Sequence, residues 1–209
     1  AVILTFSSKA YILSFGNLKS IGTKSNPVVM KSANSGENWY GIISIGNGSQ
    51  TTKLQHTLIS NVSSFQSENW SLTGGITMYK NKYVDINSSI FTNNSSEDFI
   101  NIIHSNFSIK DTKIQSAISD AFDADFSDGV ILNSSFIDIG AIGGGDAVDI
   151  SGSNVSILNT TFNNIDDKAI SVGEGSVLNG SYLTVLNSGT GIASKDGSKV
   201  YIDNSTIEG

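Results

Sequence analysis

From Gly75 onward the chain repeats a short alternation of apolar and polar positions. Ile76, Ile100, Phe122, Val148, Ile170 and Ile192 hold one recurring apolar position, at intervals of 24, 22, 26, 22 and 22 residues. Two residues further on stand Met78, Ile102, Ala124, Ile150, Val172 and Ser194, the period of two expected of short half-buried strands. A second template follows in most units, as Val84 and Ile86, Phe107 and Ile109, Val155 and Ile157, Val200 and Ile202. A third apolar position then appears as Phe91, Ile114, Phe136, Phe162 and Ile207. No window carries a helical stripe of useful length.

Ahead of Gly75 the same grammar is looser. Val2 to Phe6, Tyr11 to Phe15, Val28 to Met30 and Asn38 to Ile45 read as strands, with Pro27 where its missing N–H costs least. Residues 46–74 form the longest interval between recognisable first strands. Leu54 to Ile59 predicts another strand within it, and the polar stretch from Ser60 to Trp70 predicts a lateral loop.

A three-stranded unit of about 22–24 residues cannot shield its own apolar side chains. Stacked units cover one another and give both strand edges hydrogen-bond partners. The expectation is an all-β solenoid of roughly nine rungs, three short strands per rung, with Gly, Asn and Asp at the bends. All 209 residues are expected to form one β-helix domain. The repeat is already under way at Ala1, so the chain reads as a segment of a longer protein with covalently linked neighbours.

Charge narrows the function classes. Twelve basic residues face 19 acidic ones, for a net charge of -7 and a pI near 4.6, and every basic residue is Lys. Without Arg the bidentate reader of phosphate is missing, and the negative field opposes a nucleic-acid backbone. Without Cys there are no disulfides, thiolate metal sites or cysteine nucleophile. No run reaches the length of a membrane span. His56 and His104 lack metal-site spacing, there is no GxSxG elbow, and Gly143 to Gly145 lack a phosphate-loop context.

The pointed feature is a lattice of acids. Asp98, Asp120 and Asp146 stand two positions before their ladder residues, and Asp123 and Asp149 one position after. In a regular stack these carboxylates become neighbours and raise one another's pKa unless a cation compensates. Three readings stay open: solvated turn chemistry relieved by Lys168, a Ca²⁺ site built from Asp120, Asp123, Asp146 and Asp149, and a sugar-binding surface using Asp120, Asp123, Asp149 and Lys168.

The stretches WYGIISI, GGITMY and DDKAISVGEGS resemble those of right-handed parallel β-helix proteins of the pectin-lyase-like superfamily, especially repeat segments of surface proteins with spore-coat-kinase-like modules. The resemblance implies a single-stranded right-handed parallel β-helix and an extracellular or cell-surface location. It also implies a place to look for catalysis, because Asp146 followed one rung later by Asp166 and Asp167 is similar to the acids of polygalacturonase-like glycosidases. Where those enzymes carry a His-Gly pair this chain has Thr190-Gly191, and their basic element with Arg has no counterpart. The sequence therefore favours a noncatalytic rigid surface module that binds polysaccharide or a protein partner, with no obligatory cofactor beyond a candidate Ca²⁺. The alternatives are a glycosidase or lyase acting on a polyuronate, and a structural spacer or spike.

Overall fold

The computed structural model describes residues 1–208, leaving Gly209 outside the described residues. The chain winds as a right-handed parallel β-helix with no α-helix among the described residues, hence none that could cross a membrane. Each rung contributes strands to three faces. The front face runs through Ile12–Ser14, Ile42–Ile45, Gly74–Tyr79, Asp98–Ile103, Asp120–Asp125 and Val148–Ser151. The side face is an eight-stranded parallel sheet from Leu18–Ile21 to Lys199–Asp203. The back face runs from Val2–Phe6 to Thr206–Glu208. Back and front are joined where Thr161–Gly173 and Thr184–Ser194 continue around the corner as single long strands.

The apolar ladders pair in the register their spacing predicts. Ile42, Ile76, Ile100 and Phe122 are successive Cα partners, and Val148, Ile170 and Ile192 continue the column. Val84, Phe107, Gly129 and Val155 align on the side face, and Phe91, Ile114, Phe136 and Phe162 on the back. Apart from Ile192, which is partly buried at the end of its column, the apolar side chains of these columns are almost wholly buried and form one continuous core. Phe107 fills the space opposite Gly129, where an added Cβ would lie 2.5 Å from its ring.

Within residues 46–74, Thr51–Gln55 and Thr57–Val62 are two strands bent at His56, whose φ is 45°. The irregular part begins only after Val62 and closes on itself through a Gln66–Ser71 bridge. Trp39 is fully buried, stacks on Phe6 at 4.0 Å and donates its indole N–H to Ser60 O at 3.0 Å, so it is a core residue.

Two corners share one device. Between front and side, the backbone N–H groups of Asn81, Ser105, Ser127, Ser153 and Ser176 each donate to the hydroxyl of the next rung, at 2.8–3.1 Å. Between side and back, Thr57, Ser89, Thr112 and Ser134 form an equivalent ladder. A buried hydroxyl both accepts from one rung and donates to a carbonyl, so an enclosed bend leaves few polar groups unpaired. The third corner, between back and front, is held by Asn94 and Ser96 on one rung and by carboxylates on later ones.

Candidate functional site

Strand register brings the acid lattice together. Asp98 pairs with Asp120. The Ala121 N–H donates to Asp146 O at 3.0 Å and the Ala147 N–H to Lys168 O at 2.9 Å, extending the same column through Asp146 to Lys168. Beside it, Asn101, Asp123, Asp149 and Ser171 are successive partners, and Ile103, Asp125 and Ser151 follow two residues on. Here the carboxylates take over the bend's hydrogen bonds. Asp120 Oδ1 accepts the Asp146 N–H at 2.8 Å, and Asp146 Oδ1 accepts the Lys168 N–H at 2.9 Å.

Carboxylate oxygens of Asp120, Asp146 and Asp149 all lie within 4.8 Å of one another. This is a hard-oxygen triad of the kind Ca²⁺ takes, with carbonyls or water able to complete its shell. Asp123, expected as a fourth ligand, is outside that triad. The Asn101 amide donates to Asp123 Oδ2 at 2.9 Å and to Asp125 Oδ2 at 3.1 Å, drawing Asp123 towards Asp125. Ser171, the partner of Asp149 on the next rung, has a fully buried hydroxyl with no hydrogen-bond partner. It is an unsatisfied oxygen beside the triad.

The electrostatics divide the row in two. Burial, then the negative charges of Asp125, Asp98, Asp149 and Asp120, push the Asp123 carboxyl up to about 9. Burial, reinforced by Asp146, Asp98 and Asp149 and opposed by the Asp146 N–H, pushes Asp120 up to about 7. Asp98, only 4% exposed, is raised to about 6, again chiefly by burial. Asp146 is also raised by burial, but Lys168 works against the shift. Lys168 Nζ lies 3.3 Å from Asp146 Oδ1 and also contacts Asp167. Burial disfavours its ammonium, yet these two carboxylates outweigh that and raise its pKa.

Asp166 and Asp167 diverge. The strand register shifts between Ile165 and Lys168, and the two side chains leave the bend in different directions. Asp167 joins Lys168, whereas Asp166 Oδ2 accepts the Gly144 N–H at 2.6 Å. That anchors the turn at 140–145, where Gly143 and Gly144 have φ of 96° and 80°, angles suited to glycine. Asp166 borders a small cavity of about 190 Å³ shared with Asp138 and Asn164. The expected trio of Asp146, Asp166 and Asp167 is thus split between two environments, with Asp146 and Asp167 meeting only through Lys168.

Sequence reasoning passed over Asp125, Asn101 and Ser171. Each follows from extending the column one rung or two residues beyond the acids already noted. At the start of the same face a further group gathers: Phe65 meets Tyr11 edge-on at 4.9 Å, Tyr40 at 5.6 Å and Trp70 at 4.6 Å. Trp70 is 43% exposed.

No protein-family model matches this chain, and no curated protein matches it. Among solved structures, an alginate lyase from Paenibacillus sp. str. FPU-7 aligns over 97% of this chain and 89% of its own, with a TM-score of 0.45 and 15% identity. Likeness at that level assigns no chemistry to any residue here, and nothing in these comparisons concerns spore-coat-kinase-like modules.

Proposed function

We propose that the front face is a cation-dependent polysaccharide-binding surface, carried by a rigid module of an extracellular or cell-surface protein. The observation that carries this reading is the convergence of Asp120, Asp146 and Asp149 beside the unpartnered Ser171 hydroxyl. A Ca²⁺ ion there would neutralise carboxylates that burial otherwise drives towards protonation, and its open positions would take sugar hydroxyls or a uronate carboxylate. The Tyr11, Phe65 and Trp70 group supports a saccharide over a protein partner, since aromatic faces stack on the C–H surfaces of sugar rings.

A second reading is a polyuronate glycosidase or lyase. It is favoured by one observation: the Asp120 carboxyl, pushed up to about 7, can hold and release a proton near neutral pH, as a general acid must. The split of Asp166 from Asp167, and their engagement by Gly144 and Lys168, weigh against it.

One panel separates these readings. Binding of neutral and uronate oligosaccharides is measured by calorimetry in excess Ca²⁺ and in EDTA, with new reducing ends and unsaturated uronate absorbance followed on the same samples. A Ca²⁺-dependent component of binding that is lost in EDTA and in Asp149→Asn, without turnover, is the expected result. Saccharide binding with no Ca²⁺-dependent component would defeat the proposal, and product formation lost in Asp120→Asn would establish the enzyme.

A further inference from the structure

A second surface of the molecule has the opposite chemistry. At the corner between side and back faces lies an open trough of about 520 Å³, continuous with a smaller cavity of about 220 Å³ through the shared residues Lys24, His56, Ser88 and Ile90. Its floor is apolar: Pro27, Leu58 and Ile90, the last 41% exposed. Lys24, Lys113 and His56 supply its basic groups.

Local structure explains why these groups meet. Thr23 and Asn26 exchange two backbone hydrogen bonds, at 3.0 and 3.1 Å, in a tight turn that carries Lys24 outward. His56 stands in a left-handed bend, φ 45°, as do Ser88, Asp111 and Asn133 on the following rungs. Leu58, Ile90 and Lys113 are in register on three successive back strands, about 4.8 Å apart per rung. Among the described residues neither Lys24 nor Lys113 has an ion-pair partner. Asp111, the one acid bordering the trough, accepts from the Asn133 amide at 3.2 Å. On a chain of net charge -7, this is a local reversal of sign.

We infer that this trough is a binding site for an anionic oligosaccharide of the uronate class, separate from the acidic front face. The pairing of groups selects the ligand. A bare phosphate or sulfate would use the lysines but not the apolar strip, and a neutral sugar would leave both ammonium groups unmatched. A uronate chain offers both, with C–H faces to lie on Leu58 and Ile90 and carboxylates to reach Lys24 and Lys113. The rung spacing is comparable to the length of one pyranose, so an extended chain along the solenoid axis passes Leu58, Ile90 and Lys113 at successive sugars.

The two histidines give the test its own control, since His104 lies outside the trough and stacks on Phe126 at 5.2 Å. A tetragalacturonate is titrated in EDTA at low salt while the imidazole NMR signals are followed. The His56 resonances should move saturably while those of His104 stay fixed, and a neutral tetrasaccharide should move neither. The Lys24→Ala, Lys113→Ala double variant should weaken binding by roughly tenfold, with unchanged circular dichroism, and Asp149→Asn should leave it unaltered. A silent His56, undiminished binding by the double variant, or inorganic sulfate binding as tightly as the oligomer would each overturn the assignment. EDTA and Asp149→Asn disable the front-face cation site, so the outcome is independent of that reading.

Discussion

The three corners of this solenoid solve one structural problem with two chemistries. At the front–side and side–back corners, Ser and Thr hydroxyls receive the backbone N–H groups of the bend. At the back–front corner Asp120 and Asp146 do so. The hydroxyls bring no charge and can be enclosed at little cost once both their bonds are made. The carboxylates bring a row of negative charges that burial and mutual repulsion push towards the neutral form. A bend needs only an acceptor, so charge in excess of that need points to a ligand. Lys168 answers it at one end of the row, and Asp98, Asp120 and Asp123 have no comparable counter-charge.

The largest expected effect comes from supplying that missing charge. Ca²⁺ at a hundredfold excess over its Kd should stabilise the fold by about 2.7 kcal/mol, read as a rise in Tm reversed by EDTA. Asp120→Asn, which keeps an acceptor for the Asp146 N–H, should abolish most of that gain. An unchanged Tm would remove the distinction between the corners.

Lys168→Met tests the compensated end. Asp146 is nearly buried, so loss of its ammonium partner should cost about 2 kcal/mol in urea denaturation at neutral pH, and the cost should shrink as acid protonates the row. Ser127→Ala tests an uncharged corner. It strands the Ser105 N–H and should cost about 1.5 kcal/mol, with no dependence on Ca²⁺ and little on pH. A Ca²⁺-dependent penalty there would mean that the ion acts on the whole solenoid.

The last effect concerns pH. Asp98, Asp120 and Asp123 have folded pKa values of about 6, 7 and 9, all above the ordinary 3.8. Between the ordinary value and these, the folded chain holds protons that the unfolded chain has released. Stability in EDTA should therefore fall as pH rises from about 4 to about 9. Asp123→Asn should flatten the upper part of that fall and raise stability at pH 8, where the folded Asp123 carboxyl is still held protonated. A steeper fall in the variant would contradict the burial of Asp123 as the cause.

Much of the architecture was legible because a solenoid writes its long-range contacts as a short sequence period. Ile76 to Ile192 could be aligned from spacing alone, and their Cα pairing follows that alignment. The same register foretold that Lys168 would stand next to Asp146. It could not foretell that Asp166 would turn to Gly144, because that depends on the irregular pairing between Ile165 and Lys168. Nor could it exclude Asp123 from the triad, which depends on the Asn101 amide reaching two carboxylates at once.

The sequence by itself determined the repeat, the faces and the presence of a concentrated acid row, since each follows from side-chain period and neighbouring-rung identity. Only the tertiary structure decided which acids converge, which are tied to the backbone, and that Lys24, from a loop three rungs before Lys113, shares a trough with it. Those outcomes depend on the path of individual bends and the direction of single side chains, and no periodicity encodes them.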